Sequence, residues 1–331
     1  MINSWLQFAL CAIVIVFAGS KLTKNAAIVA DNVGIGTAWV GALMLPLATS
    51  LPELVTTLRA VTINVPDLAL GNILGSCLFN LSLLTLIDLL SGKGPLTARL
   101  SQGHIVTASL SVITVSMATI AILGIVAVPV GWIGMETLLI AVIYIVGGRM
   151  LFGFERTSFK QQNDQEIKST SKQSTLRALG NFALAAALIV AAGILLTDAT
   201  DRIAVETALG HTFVGTLFLA ISTSLPETVT TITAVRLGFT DMAVANVFGA
   251  NFMNLFIVFI ADLFFRQGPL LAAVSIGQAT SAVIVIMLSV LIIFGITYRS
   301  NKSLFRIGYD TLLVLVGYIT AVYLIFKSGS N

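Results

Sequence analysis

The residues best able to do chemistry in this 331-residue chain lie in one five-residue sequence that occurs twice. Thr-Ser-Leu-Pro-Glu is found at 49–53 and again at 223–227. Each copy ends in a glutamate, Glu53 or Glu227, near the middle of a long apolar stretch. An acidic side chain at the centre of a membrane span costs roughly 2.5–3.5 kcal/mol on insertion scales. Two such glutamates therefore predict a functional site inside a membrane.

The residues around each glutamate predict a cluster of oxygen atoms. On a helix, Thr49 and Ser50 precede Glu53 by four and three residues and share its face. Pro52 has no backbone N–H, so the carbonyl of Ala48 loses its helical partner. Irregular backbone at membrane depth is tolerated where it lines a cavity or binds an ion. The second copy repeats this pattern and predicts a second half of the same site.

Two further apolar segments carry amide and hydroxyl groups at helical spacing. Ser76 and Asn80 are four residues apart, and Asn251 and Asn254 are three apart. Oxygen ligands suit hard cations such as Na⁺ and Ca²⁺, whereas zinc and copper favour cysteine and histidine. Two glutamates balance one Ca²⁺, so Na⁺ and Ca²⁺ are expected to compete for one site. The predicted ligands are Thr49, Ser50, Glu53, Ser76, Asn80, Thr223, Ser224, Glu227 and Asn254.

The two copies belong to a long internal duplication. Their separation is 174 positions (223 − 49), and the neighbouring sequence keeps that register without a gap. Between Gly36 and Leu81, 21 of 46 aligned residues are identical to those at 210–255. Shared hydrophobicity does not give that level of identity, so the chain contains two related halves.

The composition is that of a membrane protein. Hydrophobic residues make up 57% of the chain and charged residues 10%, and the mean hydropathy is +0.99. Soluble domains carry about 25% charged residues. Apolar runs long enough to cross a bilayer predict an all-α polytopic membrane protein with ten transmembrane helices. The predicted spans are 3–20, 36–62, 67–91, 104–126, 130–149, 176–197, 210–236, 241–264, 269–297 and 307–327.

The polar segment 156–177, rich in Gln, Ser and Lys, is predicted to be a flexible linker between the halves. If this linker is cytoplasmic, fourteen of the Lys and Arg residues lie on the cytoplasmic side and four on the other. That bias follows the positive-inside rule. It predicts a protein of the cell membrane with both termini on the outer side.

Five spans in each half give the two halves opposite orientations in the membrane. The predicted units are a first five-helix repeat at 1–155, with its most similar part at 36–96, and a second at 178–331, with its most similar part at 210–270. Inverted-topology repeats related by a pseudo-two-fold axis are typical of secondary transporters, whose substrate site lies near the midplane where the repeats meet.

These residues resemble the cation/Ca²⁺ exchanger superfamily, specifically the prokaryotic sodium/calcium exchangers. Their signature is a pair of alpha repeats, here 41–80 and 215–254, each with Ser-Leu-Pro-Glu followed by a Gly-containing stretch. The resemblance implies electrogenic exchange of Na⁺ for Ca²⁺ by alternating access. It implies that Glu53 and Glu227 are the shared carboxylates, with the predicted hydroxyl and amide ligands around them. It also implies that the first and sixth spans slide against the other eight.

Three features depart from the family pattern. The usual Gly-Thr-Ser reads Ala-Thr-Ser at 48–50 and Ser-Thr-Ser at 222–224, which is a mild change. The usual Gly-Ser-Asn reads Gly-Ser-Cys at 75–77 and Gly-Ala-Asn at 249–251, and the third departure is at 254. Ala250 lacks a hydroxyl that relatives use for a Na⁺ site. Asn254 stands where several prokaryotic and K⁺-dependent relatives have aspartate, which leaves two carboxylates rather than three. Fewer charges argue against K⁺ dependence and leave the Na⁺ stoichiometry open.

Other functions are also compatible with parts of the pattern. An antiporter that exchanges H⁺ for Ca²⁺ or for another divalent cation is the nearest alternative, and a passive cation channel is the next. An enzyme is not predicted, because the chain has no nucleophile–base pair and no nucleotide motif. We expect no cofactor and no nucleic-acid partner. The expected partners are the transported ions and the lipid bilayer; the oligomeric state is open, and a monomer is expected to suffice for transport.

Overall fold

The structure is a computed structural model that describes residues 2–34, 36–92, 94–125, 128–162, 174–206, 219–299, 303–304 and 307–329. Helices dominate both halves. In the first half they are α1 (Ile2–Val33), α2 (Thr37–Trp39), a π-helical turn (Val40–Met44), α3 (Leu45–Thr49), α4 (Leu51–Thr62), α5 (Pro66–Ser91), α6 (Gly103–Ile122) and α7 (Met135–Gln162).

The second half contains α8 (Thr175–Glu206), α9 (219–223), α10 (Leu225–Arg236), α11 (Thr240–Phe264), α12 (Gly277–Tyr298) and α13 (Tyr309–Gly329). A short 3₁₀ turn, Leu270–Ala272, precedes α12. Two antiparallel hairpins pair β1 (Pro129–Val130) with β2 (Ile133–Gly134) and β3 (Ser303–Leu304) with β4 (Ile307–Gly308).

The duplication extends through the whole of both described halves. Helix α4 begins at Leu51 and α10 at Leu225, while α6 begins at Gly103 and α12 at Gly277. The hairpins and the helices that follow them recur with the same separation of 174 residues. The predicted duplication is therefore confirmed as a repeat of structure as well as of sequence.

Several helices are long and apolar enough to cross a membrane, as predicted. Among the described residues, seven helices meet this requirement, and the bent pair Thr37–Thr49 and Leu51–Thr62 makes an eighth span. A shorter apolar helix, Tyr309–Tyr323, lies at the tenth predicted span. The predicted span 210–236 falls in part on residues 207–218, outside the described residues. The chain is a multi-pass membrane protein, and the described part shows seven or eight of the ten predicted spans.

The first helix is longer than predicted. It continues past the expected end near residue 20 to Val33. No proline or glycine interrupts residues 21–33, and the Asn25 side chain donates to the Lys21 carbonyl at 2.8 Å. Gly34 follows the helix directly and has a φ of 69°, in the left-handed region. Glycine in this conformation commonly ends a helix, which explains why α1 stops at Val33.

Helices also occupy both ends of the predicted linker 156–177. Helix α7 continues to Gln162, and α8 begins at Thr175. The residues from 154 to 162 include Glu, Arg, Lys and Gln and contain no glycine or proline, so they extend the helix readily. Residues 163–173 lie outside the described residues.

Helix α11 is at the centre of the molecule. Every residue from 242 to 255 is buried, and α11 packs against α4, α5, α6, α7, α10 and the π-helical turn. Helices α1 and α8 pack along each other, α10 contacts α1, and α4 contacts α8. The elements that hold the two Thr-Ser-Leu-Pro-Glu sequences are therefore enclosed by other helices.

Two repeat-related aspartates link the end of one helix to the start of another by hydrogen bonds. Asp262, near the end of α11, accepts hydrogen bonds from the Gly134 N–H at 2.8 Å and from the Thr137 hydroxyl at 2.5 Å. Asp88, near the end of α5, accepts the equivalent two bonds at the start of α13, at 2.7 and 2.6 Å. Each aspartate thus satisfies an otherwise unpaired backbone donor and positions the helix that follows the hairpin.

Candidate functional site

Both Thr-Ser-Leu-Pro-Glu sequences break their helices at the serine. Ser50 has φ −87° and ψ 10°, and Ser224 has φ −83° and ψ 10°. In the first repeat the two helical segments meet at 45°. Pro52 and Pro226 follow two residues later and have no N–H to continue the helical ladder. The predicted disturbance of the backbone is therefore present and is nearly identical in the two halves.

Each glutamate lies in the first turn of the helix that starts at this break. Glu53 is in the first turn of α4 and Glu227 in that of α10, and both are buried, at 1% and 2% exposure. The partial positive charge at a helix N-terminus stabilises a nearby carboxylate. The C-terminal ends of α3 and α9 meet the same breaks and bring backbone carbonyl oxygens there.

The serines connect the two repeats. The Ser50 hydroxyl donates to Glu227 Oε1 at 2.9 Å, and the Ser224 hydroxyl donates to Glu53 Oε1 at 3.2 Å. Each glutamate therefore has one oxygen held by the opposite repeat. The second oxygen of each, Oε2, is buried without a hydrogen-bond partner among the described residues.

The neighbouring threonines are also buried, but their hydroxyls donate hydrogen bonds to backbone carbonyl oxygens. Thr49 Oγ1 donates to the Leu45 carbonyl at 3.2 Å, and Thr223 Oγ1 donates to the Ala220 carbonyl at 3.1 Å. A hydroxyl oxygen that donates its hydrogen still has lone pairs for a cation.

The third group of predicted ligands lies on α5 and α11. Ser76, Asn80 and Asn254 are fully or almost fully buried. The Nδ2 atoms of Asn80 and Asn254 have hydrogen-bond acceptors, whereas their carbonyl oxygens do not. Among the predicted ligands, the unpartnered buried oxygens within the described residues are Glu53 Oε2, Glu227 Oε2, Ser76 Oγ, Asn80 Oδ1 and Asn254 Oδ1.

These groups belong to one region of the molecule. Helices α5 and α11 contact each other, and each of them also contacts both α4 and α10. The bonds from Ser50 to Glu227 and from Ser224 to Glu53 join the two helix breaks, and Asn254 contacts the Cys77 thiol of α5. In the described part of the chain, neither glutamate forms an ion pair. Two buried carboxylates without basic partners and with free oxygens form a region that favours cations.

The structure adds two residues that the prediction did not include as site residues. Asn251 contacts both Asn80 and Cys77, and Cys77 also contacts Asn254. The repeat register contains the signal, because Cys77 and Asn251 are equivalent positions (77 + 174 = 251). Among the described residues, no group of three or more His, Cys, Asp and Glu side chains could hold a metal ion.

Asn72 and Asn246 support the glutamate helices from α5 and α11. Asn72 Nδ2 donates to the Thr57 hydroxyl at 3.4 Å, and Asn246 Nδ2 donates to the Thr230 and Thr231 hydroxyls at 3.1 and 3.0 Å. These bonds join α5 to α4 and α11 to α10, so they fix the half-helices that carry the glutamates.

The π-helical turn of the first repeat packs on α11 through close backbone contacts. A Cβ atom at Gly41 would lie 2.4 Å from the Met242 carbonyl oxygen, and one at Gly249 would lie 2.1 Å from the Ala42 carbonyl oxygen. Both distances are too short for a side-chain carbon, so glycine is required for the π-helical turn to pack on α11.

The fold and the site together define a multi-pass membrane protein with two repeated halves and a buried oxygen-lined region between them. The family model described as sodium/calcium exchanger protein matches residues 3–152 and 177–327. The chain belongs to this family, which consists of membrane transporters rather than enzymes.

Individual relatives agree with the family assignment. The uncharacterized membrane protein MJ0091 of Methanocaldococcus jannaschii is 25% identical over 317 residues, which is 95% of each chain. The sodium/calcium exchanger MaX1 of Methanosarcina acetivorans is 32% identical over 112 residues, 33% of this chain and 31% of MaX1. The structure of the sodium-calcium exchanger NCX_Mj has a similar fold, with a TM-score of 0.72 and 19% identity over 98% of this chain and 99% of that one.

Proposed function

We propose that this protein is a secondary active antiporter that exchanges Na⁺ for Ca²⁺ by alternating access. The observation that carries the proposal is that five of the predicted ligands each have a buried oxygen without a partner among the described residues; they are Glu53, Glu227, Ser76, Asn80 and Asn254. A buried polar atom without a partner costs about 1–3 kcal/mol. A bound cation removes that cost, because each of these atoms can serve as a ligand.

The chemistry of this set favours hard cations. Carboxylate, amide and hydroxyl oxygens are the ligands of Ca²⁺, which takes six to eight of them. Two carboxylates balance the charge of one Ca²⁺ or of two Na⁺. Binding of one kind of ion is therefore expected to exclude the other, which is the requirement for exchange at a shared site.

The proposed ligand set is that predicted from the sequence, with roles that the contacts support. Glu53 and Glu227 supply the charge, and Ser50 and Ser224 hold one oxygen of the opposite glutamate. Ser76, Asn80 and Asn254 supply neutral oxygens, and Thr49 and Thr223 supply hydroxyl oxygens near the helix breaks. All of these residues come from one chain, which supports transport by a monomer without a cofactor.

The proposed membrane arrangement has ten spans in two inverted five-helix repeats, at 1–155 and 178–331. The segment between them, 156–177, is proposed to be cytoplasmic, with both termini outside the cell membrane. The excess of basic residues on one side supports this orientation. Both native cysteines are buried, so single cysteines introduced at Ser169 and Ser330 can be tested for labelling from each side in intact cells.

Helices α1 and α8 are proposed to move together against the rest of the protein. They pack along each other and contact the half-helices through small residues. A Cβ atom at Gly19 would lie 2.9 Å from Val229 of α10, and one at Gly193 would lie 2.4 Å from Pro52 of α4. The two glycines are repeat-related (19 + 174 = 193), and their close contacts support a mechanism in which sliding of one helix pair changes access to the glutamates from either side.

The test of the proposed function is Ca²⁺ uptake by proteoliposomes under different gradients. Vesicles loaded with Na⁺ and diluted into Na⁺-free medium are expected to accumulate Ca²⁺, whereas K⁺-loaded vesicles are not. Uptake driven only by a pH gradient would identify an H⁺/Ca²⁺ antiporter instead. Flux without any counter-ion requirement and without saturation would identify a passive channel.

A further inference from the structure

The amide groups between α5 and α11 form a chain of hydrogen bonds whose direction is fixed at one end. Asn251 Nδ2 donates to the backbone carbonyl of Cys77 at 3.2 Å. A backbone carbonyl can only accept a hydrogen bond. The nitrogen of the Asn251 amide must therefore face Cys77, and its Oδ1 must face the other way.

This orientation determines the orientation of Asn80. Asn251 Oδ1 lies 3.1 Å from Asn80 Nδ2, and an acceptor oxygen needs a donor opposite it. Asn80 therefore presents its nitrogen to Asn251 and leaves its own Oδ1 without a partner among the described residues. Turning the Asn80 amide around would place two oxygens against each other and would lose this bond.

At the equivalent position of the other repeat, the orientation of the Asn254 amide is less strictly determined. Cys77 occupies the place of Asn251, and Asn254 occupies the place of Asn80. Asn254 Nδ2 lies 3.7 Å from Cys77 Sγ. A thiol is both a weak donor and a weak acceptor, so either end of the Asn254 amide can face it. The contact holds the side chain in place without determining which atom faces the sulfur.

We propose that Asn251 is a positioning residue that directs the Asn80 carbonyl oxygen to the transported cation, and that Cys77 leaves the equivalent Asn254 amide free to turn. The site then has one fixed and one reversible amide ligand. The proposal rests on the proposed cation site, because it concerns the orientation of two of its ligands. It predicts that the residue at 77 or 251 sets cation affinity without touching the ion.

Exchange of the two residues between the repeats tests this directly. Asn251→Cys alone leaves both amides free to turn, and we expect the Kd for Ca²⁺ to rise about fivefold, as for loss of one ordinary hydrogen bond. Cys77→Asn alone fixes both amides, and we expect the Kd to fall by about the same factor. The double variant Cys77→Asn with Asn251→Cys has one fixed amide again, and its Kd is expected to return close to the wild-type value.

The measurement is isothermal titration of the purified protein with Ca²⁺, which does not depend on transport. Cys11→Ala is the matched control, and its Kd is expected to stay within about twofold of wild type, because this buried cysteine of α1 packs against Ile15 and Leu196 and not against the proposed ligands. A double variant that binds Ca²⁺ no better than Asn251→Cys, or a Cys77→Asn variant that folds but binds no more tightly, would overturn the positioning role. A wild-type protein that binds no Ca²⁺ would overturn the proposed function, and this inference with it.

Discussion

The Ser50 hydroxyl in the first repeat donates a hydrogen bond of 2.9 Å to Glu227 Oε1 in the second. The repeat-related bond from Ser224 to Glu53 runs in the opposite direction. Each carboxylate is thus oriented by the repeat to which it does not belong, and each keeps one oxygen without a partner among the described residues. The site therefore exists only when the two halves are together, and damage to either half is expected to affect the whole site.

The reciprocal serines give the first prediction. Ser50→Ala and Ser224→Ala each remove one hydrogen bond to a carboxylate, worth about 1.5–3 kcal/mol. We expect each variant to raise the KM for Ca²⁺ by about tenfold or more, and by similar factors, because the two contacts are repeat-related. Initial rates of Na⁺-driven Ca²⁺ uptake measure this. Ser82→Ala is the matched control, because its hydroxyl donates to the Phe79 carbonyl of its own helix. An equal effect there would refute the specific role of the two serines.

The second prediction concerns the charge of the site. Glu53→Gln and Glu227→Gln keep the shape of the side chain but each remove one negative charge. We expect either change to abolish Ca²⁺ uptake while the protein keeps its elution profile and thermal stability, since two carboxylates are needed to balance a divalent ion.

Glu136 provides a matched control for the glutamates. It is also buried, but it belongs to α7 and not to a Thr-Ser-Leu-Pro-Glu sequence. Glu136→Gln is expected to retain transport. Normal exchange in either Glu53→Gln or Glu227→Gln would place the site elsewhere.

The third prediction concerns two of the departures from the family pattern. Asn254→Asp adds a third carboxylate to the site, and more ligand charge strengthens Ca²⁺ binding. We expect a lower KM for Ca²⁺ and a slower maximal rate, because a more tightly held ion leaves more slowly. Uptake measured over a range of Ca²⁺ concentrations separates these two effects, and an unchanged KM would show that position 254 does not contact the ion.

Ala250→Ser tests the second departure. Ala250 is fully buried and equivalent to Ser76 (76 + 174 = 250). A serine there adds a hydroxyl oxygen in the place where the first repeat has one. We expect a steeper dependence of Ca²⁺ uptake on internal Na⁺, measured as the Hill coefficient, with little change in the KM for Ca²⁺. A Hill coefficient equal to that of wild type would show that position 250 does not contribute a Na⁺ ligand.

The fourth prediction concerns stability rather than transport. Asp262 accepts bonds from the Gly134 and Leu270 N–H groups as well as from the Thr137 hydroxyl. Asp262→Ala removes the acceptor of the two N–H groups, while Thr137 keeps its bond to the Gly134 carbonyl at 2.9 Å. We expect this change to destabilise the fold by about 2–4 kcal/mol. Thermal unfolding in detergent measures the loss. Asp31→Ala, at a half-buried position of α1, is the control and is expected to change the Tm little.

Much of the architecture followed from the sequence because the duplication is gapless. The 174-residue register predicted two related halves, and among the described residues α1 and α3–α7 recur as α8 and α9–α13. The helix breaks were also predictable, because Pro52 and Pro226 cannot donate to the preceding turn. The predicted first span, 3–20, is wrong at its end, because residues 21–33 contain no proline or glycine and the helix continues to Val33.

The details of the site were less predictable. Spacing along one helix indicates which residues share a face, but it does not reveal partners on another helix. The bond from Ser50 to Glu227 joins residues 177 positions apart, and that from Asn80 to Asn251 joins residues 171 apart. Such contacts depend on how the repeats face each other. The composition and spacing of one repeat do not contain that information.

The most direct test of the account is equilibrium binding of Ca²⁺ to the purified protein at a series of Na⁺ concentrations. A shared site built from both repeats predicts one Ca²⁺ per chain, displaced by Na⁺ with a Hill coefficient above one. It also predicts that binding is lost in both Glu53→Gln and Glu227→Gln. Ca²⁺ binding that is insensitive to Na⁺, or that persists in either glutamate variant with wild-type affinity, would contradict a single shared site.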